Sequence, residues 1–113
     1  MKQFKVNNKK VKIAGADVEI KRLTPAIQDD VKAVYEAFGG QSFSVELAIQ
    51  VATMPELKKC VCYLTDITEE DYDNLGYDII AEVVAHVVKE NIGFFSQTTQ
   101  KVTEIMALQT GQS

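Results

Sequence analysis

Apolar and polar residues alternate near the start of the chain, in the segments Val11–Ile13 and Val18–Ile20. A period of two with one apolar face is typical of half-buried β-strands. The residues Ala14-Gly15-Ala16-Asp17 lie between the two segments and suit a turn. The pattern therefore predicts an antiparallel hairpin, which has two strands, or three if Phe4 and Val6 also pair.

From Thr24-Pro25 onward the apolar residues are spaced by three and four, as in an amphipathic helix. A hydroxyl followed by proline is a favourable helix start, and Gly39-Gly40 is a favourable helix end. Ser42 or Ser44 is expected to cap a second helix. That helix should end or kink near Thr53, because the proline two residues later lacks a backbone donor.

A third helical segment is predicted over about Pro55 to Leu64. Its buried stripe consists of Leu57, Val61 and Leu64, with Cys60 beside them. Thr68 then begins a short helical turn, and Asp71 stands where a capping box has its reciprocal acid. This turn is expected to end near Leu75-Gly76, where the chain redirects into the next helix.

The widest apolar stripe of the chain follows and predicts a helix from about Tyr77 to Asn91. Its members are Ile79, Ile80, Val83, Val84, Val87 and Val88. Such a stripe indicates a helix that is buried or contacts partners on two sides. Asn91-Ile92-Gly93 is expected to break this helix. The remaining segment is weakly amphipathic and either completes the core or docks on a partner.

These elements predict an α+β, mainly α fold, in which an antiparallel hairpin of two or three strands precedes four to five helices. A length of 113 residues fits one domain. Its predicted parts are the hairpin at 1–23, a helical body at 24–92 and a C-terminal helix or tail at 93–113.

Charge is distributed unevenly along the chain. Residues 1–22 carry seven bases and two acids, and the remainder carries five bases and fourteen acids. A basic hairpin on an acidic body can support head-to-tail contact between copies or docking on a charged partner. The residues expected to take part are Lys10, Lys12, Lys21, Arg22, Glu69, Glu70 and Asp73. The alternative is an edge strand that its lysines keep from pairing.

The bulk properties argue against several classes of protein. No apolar run reaches ~18 residues, so no membrane span is expected. No apolar segment follows the N-terminal lysines as in a secretory signal, which favours a reducing compartment for the two cysteines. A net charge of −4 argues against a general nucleic-acid binder.

The stretch DYDNLGYDIIAE matches part of a calcium-loop pattern through Asp71, Asp73, Gly76 and Glu82. Leu75 stands where the loop needs an oxygen ligand, so we interpret the stretch as two helix starts and expect no metal.

Few other residues suggest chemistry. Cys60, Cys62 and His86 are too few and wrongly spaced for structural zinc, and two thiols two residues apart on a helix point to different faces. The chain has no nucleophile, phosphate-loop or metalloprotease motif. We therefore expect neither an enzyme nor a cofactor.

Roughly residues 10–92 resemble the small tail assembly chaperones of long-tailed phages and prophages. The hairpin VKIAGADVEIKRLTP, the helix end ATMPELKKCVCYLTDIT and the step EEDYDNLGYDIIAEVVAHVVKE carry the resemblance. In this family a step T-x-x-D-h-x-x-L-x-x-x-D-h leads into a long apolar helix. Here Thr68, Asp71, Tyr72, Leu75 and Ile79 fit that step, and Asp78 stands one residue early.

The resemblance implies a non-enzymatic, helical protein of the bacterial host cytoplasm. Such chaperones bind the tape measure protein, assist polymerisation of the tail tube protein and leave before the virion is finished. Some members self-associate, so a homo-oligomer is expected. The residues expected to bind a partner helix are Ile80, Val84, Val87, Phe94, Phe95, Ile105 and Met106. The alternatives are a minor tail or connector component that stays in the particle, and a small regulator that binds nucleic acid through the hairpin.

Overall fold

The computed structural model describes residues 2–39 and 44–109. These residues form a two-stranded hairpin, a 3-10 turn at Pro25–Ile27 and five α-helices. The elements are β1 (Lys9–Ile13), β2 (Ala16–Ile20), α1 (Gln28–Phe38), α2 (Val45–Ala52), α3 (Pro55–Leu64), α4 (Glu69–Asp73) and α5 (Tyr77–Gln109). The predicted fold class, a mainly α fold with an N-terminal hairpin, is confirmed.

The hairpin is antiparallel, as predicted, with Val11 opposite Val18, and Ala16 and Asp17 of the predicted turn belong to β2. Its two-residue loop is Ala14-Gly15, with φ of 50° and 83°, and a type I′ turn requires positive φ at both positions. The third-strand alternative is wrong for the described residues, because Phe4 and Val6 lie outside the sheet and are exposed.

Strand β2 is fastened to the end of α3, which closes its open edge. The backbone N–H of Lys21 donates to the carbonyl of Leu64 at 2.7 Å. The N–H of Glu19 donates to Asp66 Oδ1 at 3.1 Å. The buried Thr65 forms an isolated bridge with Ile20. A lone hairpin is marginal in water, so these bonds and the buried face of the hairpin hold it on the helices.

The helix boundaries agree with the predicted caps in most places. Ser44 accepts a hydrogen bond from the N–H of Leu47 at 3.1 Å, while Ser42 lies outside the described residues. Thr68 forms a complete capping box with Asp71. Thr24 is the exception, because its hydroxyl bonds the Tyr63 hydroxyl at 2.6 Å instead of capping.

The expected break at Asn91-Ile92-Gly93 is wrong. Helix α5 runs unbroken from Tyr77 to Gln109, 33 residues or about 50 Å at 1.5 Å per residue. Both residues taken as breakers are compatible with a helix here: Asn91 uses its side chain on another segment, and Gly93 only lowers helix propensity. The C-terminal segment is therefore a continuation of α5.

The main core lies between the hairpin, α2, α3 and α5. Its buried members are Ile13, Val18, Ile20, Leu47, Val51, Ala52, Leu57, Val61, Tyr72, Ile80 and Val83. The Tyr72 hydroxyl donates to the carbonyl of Ala52 at 2.8 Å, which joins α4 to the end of α2. A smaller cluster of Ile27, Cys60 and Leu64 lies under α1. Cys60 and Leu64 of this second cluster also line a concave surface between α1, α3 and α5.

Candidate functional site: an apolar groove between three helices

An apolar groove of about 380 Å³ lies between α1, α3 and α5. We refer to it as the α1/α3/α5 groove. Its lining consists of Leu23, Val31, Val34, Tyr35, Phe38, Leu57, Cys60, Val61, Leu64, Val84, Val87, Val88, Asn91 and Ile92. Only Asn91 among these residues has a side-chain amide, and none is charged. The groove therefore suits an apolar side chain or the apolar face of a helix.

The floor of the groove is buried and its rim is exposed. Leu57, Val61 and Leu64 are buried in α3. On the rim, Tyr35 is 79% exposed, Val88 53% and Ile92 61%. Large apolar residues on two facing helices thus meet water on both sides of a concave surface, as is common in helix-binding grooves.

Asn91 holds one end of the groove together. Its Oδ1 accepts a hydrogen bond from the N–H of Leu23 at 2.7 Å. Its Nδ2 donates to the carbonyl of Lys21 at 3.2 Å and to that of Val87 at 2.9 Å. The side chain thereby pairs with the linker between β2 and α1 much as a strand would. The linker is fixed against α5, and Leu23 is held in the groove wall.

A second contact between the same segments lies next to this end of the groove. The guanidinium of Arg22 stacks on the ring of Phe94, with its central carbon 4.3 Å from the ring centroid. Cation–π pairs of this kind contribute ~0.5–1 kcal/mol at exposed sites. Arg22 also donates to the carbonyl of Asn7 at 3.3 Å. Arg22 was expected in self-association, and the structure shows that it also binds within its own chain.

The residues predicted to bind a partner occupy three different environments. Val84 and Val87 line the α1/α3/α5 groove. Ile80 is buried in the main core and borders a separate cavity of about 70 Å³. Ile105 and Met106 are more than half exposed on the far half of α5. Phe94 lies against Arg22, and the side chain of Phe95 lies outside what the structure describes.

The residues predicted to pair between copies already have some partners within the chain. Lys12 Nζ lies 3.6 Å from Asp17 Oδ1, and Lys58 Nζ lies 2.9 Å from Asp73 Oδ1. Lys10 is exposed on β1, Lys21 is half-buried, and Glu69 and Glu70 are exposed in the first turn of α4. The outer edge of β1 has no partner strand among the described residues. Its exposed lysines fit the alternative of a protected edge strand.

In the calcium-like stretch, Asp71 caps α4 and Asp73 pairs with Lys58. Asp71 accepts from the N–H of Thr68 in the capping box at 3.4 Å. The hydrogen bond and charge of Asp73 raise the pKa of the Lys58 amine. Gly76 precedes α5, and its carbonyl accepts from the N–H groups of Ile79 and Ile80. Within residues 2–39 and 44–109, no group of three or more His, Cys, Asp or Glu side chains is placed to hold a metal ion.

The two cysteines face different clusters, as their spacing predicted. Cys60 is a buried free thiol in the floor of the groove, and Cys62 is half-buried against the main core. Burial, with the charges of Asp30 and Glu56, raises the pKa of Cys60 to about 11. A thiol with such a pKa stays protonated and is a poor nucleophile at neutral pH. His86 is half-buried on α5, and its Nδ1 has no hydrogen-bond partner in the described part of the chain.

Sequence reasoning missed the α1 wall of the groove. The apolar spacing of α1 predicts one apolar face on that helix and does not single out Tyr35. Val31, Val34 and Phe38 pack against the buried clusters and also line the groove. Tyr35 is four residues after Val31 and three before Phe38, so it lies beside them on the helix surface and widens the stripe, which is the signal that the sequence offers.

Comparison of the chain with protein-family models, with curated proteins and with solved structures gives no match. Within the residues described, every helix is too short or too polar to cross a membrane. The groove and the exposed face of α5 are therefore the features from which function has to be argued.

Proposed function

We propose that the protein is a non-enzymatic chaperone that binds an apolar helix of a partner in the α1/α3/α5 groove. The observation that supports this is the groove itself: its lining is apolar, its floor is buried, and its rim exposes Tyr35 and Ile92. Large exposed apolar surface on a small protein marks an interaction site. An amphipathic helix with apolar residues at i, i+3, i+4 and i+7 matches such a surface.

The resemblance to phage tail assembly chaperones gives the partner its expected identity. The tape measure protein of a long-tailed phage contains a very long helix, whose apolar stripe needs cover before the tail tube surrounds it. A groove between three helices offers that cover. On this proposal the protein works in the bacterial cytoplasm, binds the tape measure protein, assists assembly of the tail tube and is absent from the finished particle.

The test is a titration with a helical fragment of a tape measure protein, about 25 residues long, followed by calorimetry. We expect saturable binding with one fragment per groove. Tyr35→Ala should weaken binding by roughly 5- to 30-fold, which corresponds to about 1–2 kcal/mol, because a tyrosine that a partner covers on binding is often among the residues that contribute most. Tyr35 is 79% exposed in the free protein, so its truncation should leave the fold intact.

Glu36→Ala is the matched control, since Glu36 is exposed on the same helix and does not line the groove. Its affinity for the fragment should equal that of the unmodified chain. If the fragment does not bind, or if Tyr35→Ala binds as tightly as Glu36→Ala, the groove is not the binding site. Detection of the protein in purified virions would favour the alternative of a structural tail component.

A further inference from the structure

We infer that the α1/α3/α5 groove also receives the C-terminal half of α5 from a second copy of the chain. The two copies form a symmetric dimer in which the two α5 helices run antiparallel. The first observation is a repeat along α5. Val84 and Val102 are eighteen residues apart, as are Val88 and Met106, and this distance is about five complete helical turns. Val102 and Met106, which are exposed beyond the groove, therefore lie on the face of α5 that lines it.

The charges of this half of α5 lie on the other side of the helix. Between residues 88 and 109 the sequence has four charged side chains, Lys89, Glu90, Lys101 and Glu104. At about 100° per residue they lie roughly 100–160° away from the line through Val88 and Met106. One face is thus uncharged over its whole length, and the opposite face is solvated. A helix with this division covers its uncharged face against another surface.

The C-terminal half of α5 cannot fill the groove of its own chain. Helix α5 is unbroken, so Met106 lies about 27 Å along the axis from Val88. Parallel pairing of two copies would place one concave groove against another and leave both open. Antiparallel pairing places a lone convex helix in each groove, which makes the contact self-complementary, as a two-fold axis requires.

The sequence also sets a register for this pairing. If Val88 of one copy lies opposite Met106 of the other, then Ile92 lies opposite Val102, and both pairs are centred at the level of Gln97. The four-residue spacing from Val88 to Ile92 is matched by that from Val102 to Met106. Facing apolar layers at equal spacing are what knobs-into-holes packing needs.

The size of the contact is sufficient for a weak dimer. If a strip of α5 about 37 Å long and about 10 Å wide is covered on each copy, the dimer contact buries roughly 750 Å² of surface in total. The groove walls around each tail raise this toward the ~1,200 Å² at which stable interfaces begin. We therefore expect dissociation in the micromolar range. If the groove also binds a client helix, a point that rests on the proposed function, client binding and dimerisation compete for one surface.

Cysteine cross-linking tests the register in a chain whose Cys60 and Cys62 are replaced by alanine. The double variant Ile92→Cys with Val102→Cys should form covalent dimers under mild oxidation. Within one helix these positions are about 15 Å apart, beyond the ~7 Å limit between Cα atoms of a disulfide. Each single variant should cross-link poorly, because identical residues are about 15 Å apart in the antiparallel pair. Efficient cross-linking of Ile92→Cys alone would show parallel pairing and overturn the inference.

Sedimentation velocity tests the surface without cysteines. Met106→Glu should raise the dissociation constant of the dimer at least tenfold. The matched control Gln100→Glu adds the same charge outside the uncharged face of α5 and should change that constant less than twofold. The inferred dimer is wrong if the chain is monomeric up to about 200 μM, or if the Met106→Glu variant dimerises as strongly as the control. A monomer that still binds the tape measure fragment would overturn only this inference, whereas a dimer that ignores the fragment would overturn only the proposed function.

Discussion

Asn91 is the residue whose replacement tests most directly how the groove is held in place. In Asn91→Leu the side chain keeps a similar size but loses its bonds to the linker between β2 and α1. The N–H of Leu23 and the carbonyl of Lys21 would then lack a protein partner. Each neutral hydrogen bond contributes ~0.5–1.5 kcal/mol net. The linker is partly exposed, so water replaces some of the lost hydrogen bonds. We therefore expect the free energy of unfolding to fall by about 1–2 kcal/mol.

The assay is urea unfolding followed by circular dichroism at one fixed protein concentration, because dimerisation would otherwise shift the midpoint. The matched control is Asn74→Leu, which removes only a local bond from an exposed asparagine to the carbonyl of Glu70 and should cost less than ~0.5 kcal/mol. Hydrogen exchange of the Leu23 amide gives a local readout and should accelerate in Asn91→Leu alone. Unchanged stability together with unchanged protection of that amide would refute the assigned role.

Three further predictions follow from single positions. Gly93→Ala should stabilise the protein by about 0.5–1 kcal/mol in urea unfolding, because a Cβ there meets nothing within 4 Å and alanine is the better helix former; destabilisation would mean that α5 breaks at this glycine. Ala14→Asn should stabilise it by up to ~1 kcal/mol in thermal unfolding, since Ala14 has φ of 50° and asparagine suits the left-handed region; a lower melting temperature would contradict the turn. The pKa of the Cys60 thiol is raised by burial from 9.0 to about 11, so between these values the folded state holds a proton that the unfolded state has lost. The free energy of unfolding should therefore fall as pH rises from 9 to 11, and it should fall by less in Cys60→Ala. Equal losses in the two chains would show that Cys60 does not contribute to this pH dependence.

The sequence predicted most of the local structure because the signals for it are local. The alternation around Ala14-Gly15 is enough for a hairpin with a short loop. Thr68 and Asp71 are enough for a capped turn, since both partners of a capping box lie within three residues. The same holds for the proline that begins α3. In each case the stabilising contact joins residues that are neighbours in the chain.

The errors came where a residue acts on a distant segment. Thr24 was read as a helix cap, but its hydroxyl bonds Tyr63 on α3. Asn91 was read as a helix breaker, but its amide bonds the linker near Leu23, 68 residues away in the chain. Local propensity cannot include such partners, because it describes what a residue does when no other segment is near.

The hairpin, the helix starts and the apolar stripes follow from the amino-acid sequence alone, because each depends on spacing along one element. The open groove above α3, where α1 and α5 do not close on each other, depends on how the helices pack together. A stripe fixes which face of a helix is apolar but not how far that face lies from its neighbours. That distance follows from the packing of the whole body, including the linker that Asn91 holds against α5.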